Sequence, residues 1–217
     1  MKKIKYFYLI LLSLFLTGCL GGSSKPIMSF YVGGNRYIVH DLKGNERGNI
    51  LLKSTNKSLE GDLIYRQYEK SISNFLIQKG FRSTTDEKDA NYVGYINYGF
   101  LSNKSGKQIV DTKIKGKSIY FETQNLEITN PTPISSTQLR FGVRNGYERV
   151  LIFKMYDLND SGSKGKMVVD SRLTSVGTCD NMGPLREELT TMMFKNFPGK
   201  SGKAEKITIP GIKVNAC

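Results

Sequence analysis

Residues 148–177, ERVLIFKMYDLNDSGSKGKMVVDSRLTSVG, hold a nearly unbroken apolar run, a polar loop and a second strand-like run. Glu148–Leu158 lacks the polar alternation of a half-exposed strand, so it reads as a central strand covered on both faces. Asn159–Gly165 (NDSGSKG) is rich in Gly, Ser, Asn and Asp and reads as a loop. Lys166–Val176 then returns as a strand, and the short connection makes antiparallel pairing of the two the expected outcome.

Toward the N-terminus, NYVGYINYGF (91–100) alternates: Tyr92, Gly94, Ile96, Tyr98 and Phe100 share one strand face, with Val93, Tyr95 and Asn97 on the other. Before it, Leu59–Lys79 carries apolar residues at Ile64, Tyr68, Ile72, Phe75 and Leu76, the spacing of one buried helix face. Gly80 stands where a left-handed residue closes a helix. Asn49–Lys53 is a short strand, and Met28–Val32 with Tyr37–Val39 reads as a hairpin turning at Gly33-Gly34-Asn35. Toward the C-terminus, Pro184 suits the first turn of a second helix with the stripe Leu185, Leu189, Met192, Met193. Phe197-Pro198-Gly199 ends that helix, and Ile207 and Ile209 alternate in a last short strand.

Residues 101–133 are polar, with a strand-like Ser118–Thr123 and a Pro131-Thr132-Pro133 breaker, and read as an extended, partly protruding hairpin rather than core. The expected fold is therefore α+β: a mostly antiparallel sheet, two helices packed on one face, and a long protruding hairpin. Because the helices flank a run of strands instead of alternating with them, a doubly wound fold is not expected.

The inventory of chemical groups is short. His40 is the sole histidine, and neighbouring Asp41 points the wrong way along a strand for a Ser-His-Asp triad. Zinc sites draw on several His or Cys ligands, so no metal site is expected. No G-x-x-x-x-G-K-[ST] or G-x-G-x-x-G phosphate-binding loop occurs, and no cofactor is expected. Ser54-Thr55-Asn56-Lys57 matches S-x-x-K but lacks its S-D-N and K-T-G companions, and the same letters recur at Ser161–Lys164. The acid pairs Asp86-Glu87 and Glu187-Glu188 could serve glycoside chemistry, although acids in the first turn of a helix are favoured by its dipole. No catalytic residue is nominated, and the protein is not expected to be an enzyme. The tyrosines of 91–100 could stack on sugar rings or simply pack across strands.

At the N-terminus, Lys2, Lys3 and Lys5 precede an apolar run from Tyr6 to Leu16. That is the layout of a secretory signal, and the run is shorter than the roughly 20 residues that span a bilayer. Leu16-Thr17-Gly18-Cys19 resembles the lipobox of bacterial lipoprotein signals, which implies cleavage before Cys19 and acylation of its thiol. Residues 1–18 are then a signal peptide, 19–27 a flexible tether, and 28–217 one domain. Leu20, where inner-membrane retention signals carry Asp, points to the outer membrane with the domain facing the periplasm. Removing the signal lowers the formal charge from +13 to +10, which favours anionic partners or reflects lysine as a solubilising residue. Nucleic acid is not an expected partner of an exported chain. Lys104, Lys107, Lys113, Lys115 and Lys117 cluster in the proposed hairpin, as candidate contacts for an anionic glycolipid or as a solvated loop. Cys179 and Cys217 are an even pair in an oxidising compartment, hence a disulfide candidate.

The series LIYRQYEKSISNFLIQKGF, DANYVGYINYGF, the 148–177 stretch and LREELTTMMFKNFPGKSG resembles the envelope lipoproteins of the DUF4136 family. The shared punctuation is Lys79-Gly80-Phe81 at a helix end, Asp89-Ala90 before a strand, and Phe197-Pro198-Gly199 after the closing helix. It covers about residues 49–209, while Val168-Val169-Asp170 stands where many members carry a Trp. The resemblance implies a lipid-anchored domain with no established activity and supplies no catalytic residues. The function expected is binding or scaffolding of another envelope component, by a protein partner or by lipopolysaccharide or glycan at the lysine-rich hairpin.

Overall fold

A computed structural model describes residues 30–42, 47–102, 105–129, 131, 133, 146–159 and 161–212. The elements are β1 (Phe30–His40), β2 (Asn49–Ser54), a 3-10 turn (Lys57–Leu59), α1 (Leu63–Gln78), β3 (Arg82–Ser83), β4 (Tyr92–Leu101), β5 (Lys107–Ile114), β6 (Lys117–Gln124), β7 (Tyr147–Asp157), β8 (Lys166–Gly177), α2 (Arg186–Phe194) and β9 (Lys203–Ile212). One sheet has the order β3-β2-β4-β7-β8-β1-β9, and β5 and β6 form a second, two-stranded sheet. The class is α+β. The large sheet is mixed: β2 runs parallel to β3 and β4, and its other pairings are antiparallel. The parallel pair arises because α1 carries the chain back to the start of β2 before β4 begins, a crossover that a tight turn cannot make.

The 148–177 stretch forms the centre of the sheet. β7 lies between β4 and β8, paired with β8 from Tyr147↔Gly177 to Asp157↔Lys166 with a register shift at Met155/Tyr156. Val150, Leu151, Phe153 and Met155 are fully buried, as two covered faces require.

Asp62 accepts from the backbone N–H of Ile64 at 2.8 Å and of Tyr65 at 3.1 Å, so α1 starts there, later than the apolar spacing suggests. It ends in a Schellman motif: Phe81 N–H donates to Leu76 O, Gly80 N–H donates to Ile77 O, and Gly80 takes a φ of 91°. Tyr65, Tyr68, Ile72 and Leu76 from α1 and Leu189, Met192, Met193 and Phe194 from α2 join one apolar cluster with Leu52, Tyr98, Leu151, Phe153 and Leu173 of the sheet. The Phe75 and Phe194 rings stack between the helices with centroids 5.8 Å apart. Both helices therefore share one face. Gly94 lies beneath them where a Cβ would come within 2.8 Å of both Leu52 and Phe153, so only glycine lets these side chains close over β4.

Two sequence expectations are corrected. The hairpin of β5 and β6 exists, but it does not protrude: Val110, Ile114, Ile119 and Phe121 are buried against Leu51, Val93, Tyr95, Tyr156 and Leu158 on the opposite face of the large sheet. Asn97 fastens it, donating to Gln124 O at 2.6 Å and Thr123 Oγ1 at 3.3 Å. Second, Gly33-Gly34-Asn35 is not a turn but lies within β1, which pairs with β8 on one side and β9 on the other. Gly34 serves close packing there, since a Cβ would sit 2.7 Å from Thr174 O and 3.2 Å from Leu173 Cδ1.

Candidate functional site

Most groups that the sequence nominates for chemistry are engaged inside the fold. His40 ends β1, where its Nε2–H donates to Gly199 O at 3.0 Å and its backbone N–H to Ser201 Oγ at 3.1 Å. Ser54 Oγ accepts from Asn56 N–H at 3.1 Å within a local turn. Lys164 forms an isolated bridge with Ser118, tying its loop to β6. Glu187 and Glu188 lie in the first turn of α2 as the dipole argument requires, Glu187 paired with Arg186 at 3.1 Å. Burial, with Glu187 adding, holds the Glu188 carboxyl above the usual carboxylate range against an opposing backbone hydrogen bond and Arg186. Tyr92, Tyr95 and Tyr98 are all buried, Tyr98 stacked on Tyr68 at 4.4 Å, so the aromatic strand packs.

Cys19, Lys104 and Cys217 lie outside the described residues. Cys179 is disulfide-bonded. Of the hairpin lysines, Lys107 pairs with Glu122 at 2.7 Å, Lys115 Nζ donates to Ala90 O at 3.2 Å, and Lys117 Nζ donates to Gly162 O. Lys113 is exposed near the β5–β6 turn. The cluster is therefore spread along the hairpin, with two of its ammonium groups holding loop carbonyls.

A cleft of about 470 Å³ lies over Arg36, Lys195, Asn196, Glu205, Lys206 and Ile207. Its guanidinium is already committed to the Met193 and Lys195 carbonyls and to Glu205, which marks it as a clamp on the end of α2.

The less committed polar groups converge on β2. A cleft of about 430 Å³ opens between β2 and β5, lined by Lys53, Thr55, Glu60, Glu87, Tyr95 and the Ile109–Ile114 strand among others. A smaller one of about 140 Å³ opens between β2 and α1, lined by Leu51, Leu52, Lys53, Glu60, Tyr65 and Glu69. Tyr95 and Tyr65 are each 2 % exposed, and neither hydroxyl has a hydrogen-bond partner among the described residues. Burial raises both phenols well above their ordinary range, with help from Glu87 and Glu60 at Tyr95 and from Glu69 and Glu60 at Tyr65. Both are therefore neutral donors awaiting an acceptor. Lys53 and Glu87 pair at 3.0 Å on the wall of the larger cleft. Nothing in the sequence announces this site, because its walls come from β2, α1, β4 and β5 and its residue types are ordinary.

No family model and no curated protein sequence matches the chain. Among the solved structures similar to it are the following two. A PDZ domain protein from Parabacteroides distasonis is 10 % identical with a TM-score of 0.48, covering 83 % of this chain and 39 % of its own. The chain thus spans well under half the length of that protein. A DUF4136 family protein from Bacteroides thetaiotaomicron is 15 % identical with a TM-score of 0.46, covering 77 % of this chain and 97 % of its own. The second bears the name of the family that the sequence resembles.

Proposed function

We propose that the protein is a lipid-anchored domain of the cell envelope that binds or scaffolds another envelope component without transforming it. The observation that carries this reading is Leu16-Thr17-Gly18-Cys19, preceded by three lysines and a short apolar run and followed by a Gly-Ser tether. Two or more acyl chains at one cysteine hold a protein stably to a bilayer, where a single chain does not. Leu20 favours the outer membrane, with residues 28–217 in the periplasm. Anchoring confines the domain near membrane-bound partners and raises its effective concentration there, so modest contacts suffice. The non-enzymatic part of the reading draws support from His40, Ser54 and the acid pairs, whose contacts are with separate neighbours in the fold instead of with one another.

Growth with labelled palmitate tests the anchor: label enters the native chain and is lost in Cys19→Ala. An unlabelled native chain, or label that persists in Cys19→Ala, overturns it. Cross-linking in cells followed by mass spectrometry tests the binding role, for which a discrete product with another envelope component is expected. Monomer alone, across linkers of several lengths, counts against it.

A further inference from the structure

β2 is paired along Ile50–Ser54 with β4, but β3 covers its other side only at Asn49 and Ile50. Thr84 N–H donates to Ile50 O, and there the cover ends. From Leu51 to Ser54 no strand among the described residues lies along the outer side of β2, so alternate residues direct N–H and C=O groups outward, the template to which another strand pairs. The two clefts flank this same segment on opposite faces of the sheet, and Lys53 and Glu60 line both. Each cleft is also lined by a tyrosine whose buried hydroxyl has no partner among the described residues.

The two clefts differ in charge. Neither Glu60 nor Glu69 has an ion-pair partner among the described residues, and both line the smaller cleft beside Tyr65. Burial and the nearby Glu60 raise the Glu69 carboxyl above its ordinary range, and a cation seated there opposes both by favouring the charged form. The larger cleft offers Ile109, Val110 and Ile114 with the Tyr95 hydroxyl, a setting for a side chain that is part apolar and carries an acceptor.

We propose that the open edge of β2 over Leu51–Ser54 binds an extended peptide segment of a partner protein by strand addition, with a lysine or arginine of that segment seated by Glu60 and Glu69. Successive side chains of a strand point to opposite faces. A segment added beside β2 therefore sends alternate residues into the helix-side and hairpin-side clefts, main-chain bonds supplying affinity and the clefts selecting side chains. A second copy of the chain fits less well, because the cation its β2 would bring is Lys53, already paired with Glu87. The proposal rests on the binding-domain reading and names the class of partner.

The test uses the full chain in detergent and a blocked, labelled hexapeptide of alternating threonine and lysine. Saturable binding is expected, with protection of the Leu51–Ser54 amides from hydrogen exchange. Two further peptides carry N-methyl groups on alternate residues, one set in each register. One binds about tenfold more weakly or worse and the other keeps its affinity, because only one set of N–H groups faces β2. A glutamate-for-lysine peptide fails to bind, and a Glu60→Gln, Glu69→Gln double variant that retains its circular dichroism spectrum weakens binding by about tenfold. No saturable binding up to about 1 mM, or equal binding of both N-methylated peptides, overturns the proposal. Self-association that protects the same amides overturns it in favour of a second copy. Capture of a cellular partner solely through linkers remote from β2 sinks this proposal while leaving the binding-domain reading intact.

Discussion

The Arg36 guanidinium, on a residue 1 % exposed, contacts the carboxylate of Glu205, its register partner across the β1–β9 ladder. It also donates to Met193 O at 3.0 Å and to Lys195 O, carbonyls at the end of α2. The last carbonyls of a helix lack partners within it, and a cation there meets the negative end of its dipole. One side chain thus joins β1, β9 and α2.

That arrangement predicts unequal costs. Arg36→Ala strands two carbonyls in the interior and is expected to destabilise the fold by about 3 kcal/mol. Glu205 is 35 % exposed in its side chain, so water screens the pair, and Glu205→Ala costs about 1 kcal/mol. Urea unfolding of both variants checks the order. The reverse order would place the stabilisation in the ion pair and not in the helix end.

Docking of the hairpin on the sheet is tested by two aromatic truncations on β6. Phe121 is 7 % exposed and packs with Tyr95 and Tyr156, at centroid distances of 5.2 and 5.4 Å. Phe121→Ala should cost about 3 kcal/mol by loss of burial and the cavity left behind. Tyr120, 63 % exposed on the other face, should change stability by less than about 0.5 kcal/mol when truncated to Ala. Equal, small effects would mean that the hairpin does not cover the sheet.

Glu69 gives a pH signature with a definite sign. Its carboxyl is raised in the folded state by burial and then by Glu60, so the fold disfavours the charged form. The stability it leaves intact is full below the ordinary carboxylate range and falls as pH rises through the raised value. Glu69→Gln should therefore unfold at higher urea than the native chain at about pH 7 and match it at about pH 3.5. An advantage that persists at the lower pH would contradict the assignment. A stabilising variant that loses peptide binding is the pattern expected where a site is held for function.

Cys179 is disulfide-bonded, and we propose Cys217 as its partner. Pinning the C-terminus in this way would contribute about 4 kcal/mol on a chain-entropy model. Intact mass after alkylation, without and with reductant, should show no added label and then two labels from these cysteines. Labelling of Cys217 before reduction would rule out the pairing.

The long elements were legible because their side-chain periods are strong. The β7–β8 pair follows from one continuous apolar run and its polar loop. The stripe through Ile64, Tyr68, Ile72 and Leu76 sets the buried side of α1, although the start of that helix was set by the Asp62 cap. Alternation along 92–100 assigns Tyr92, Ile96, Tyr98 and Phe100 to one layer and Val93 and Tyr95 to the other, and the two apolar clusters divide in that way.

The rest depended on neighbours far away in the chain. Gly33-Gly34-Asn35 has the letters of a turn, but whether glycine serves a bend or a close approach is decided by Thr174 and Leu173 lying against it. Alternation in β5 and β6 is the same for a hairpin in solvent and for one lying on a sheet, so it was Leu51, Val93, Tyr95 and Tyr156 that turned it into a second core. By itself the sequence determined the long central elements, β4, β7, β8 and α1, and which side of β4 and α1 is apolar, since these follow from short-range periodicity. Tertiary structure alone decided that, among the described residues, no strand pairs with the outer side of β2 beyond Ile50, because an unpaired edge is a property of where other strands stop, and no local pattern encodes it.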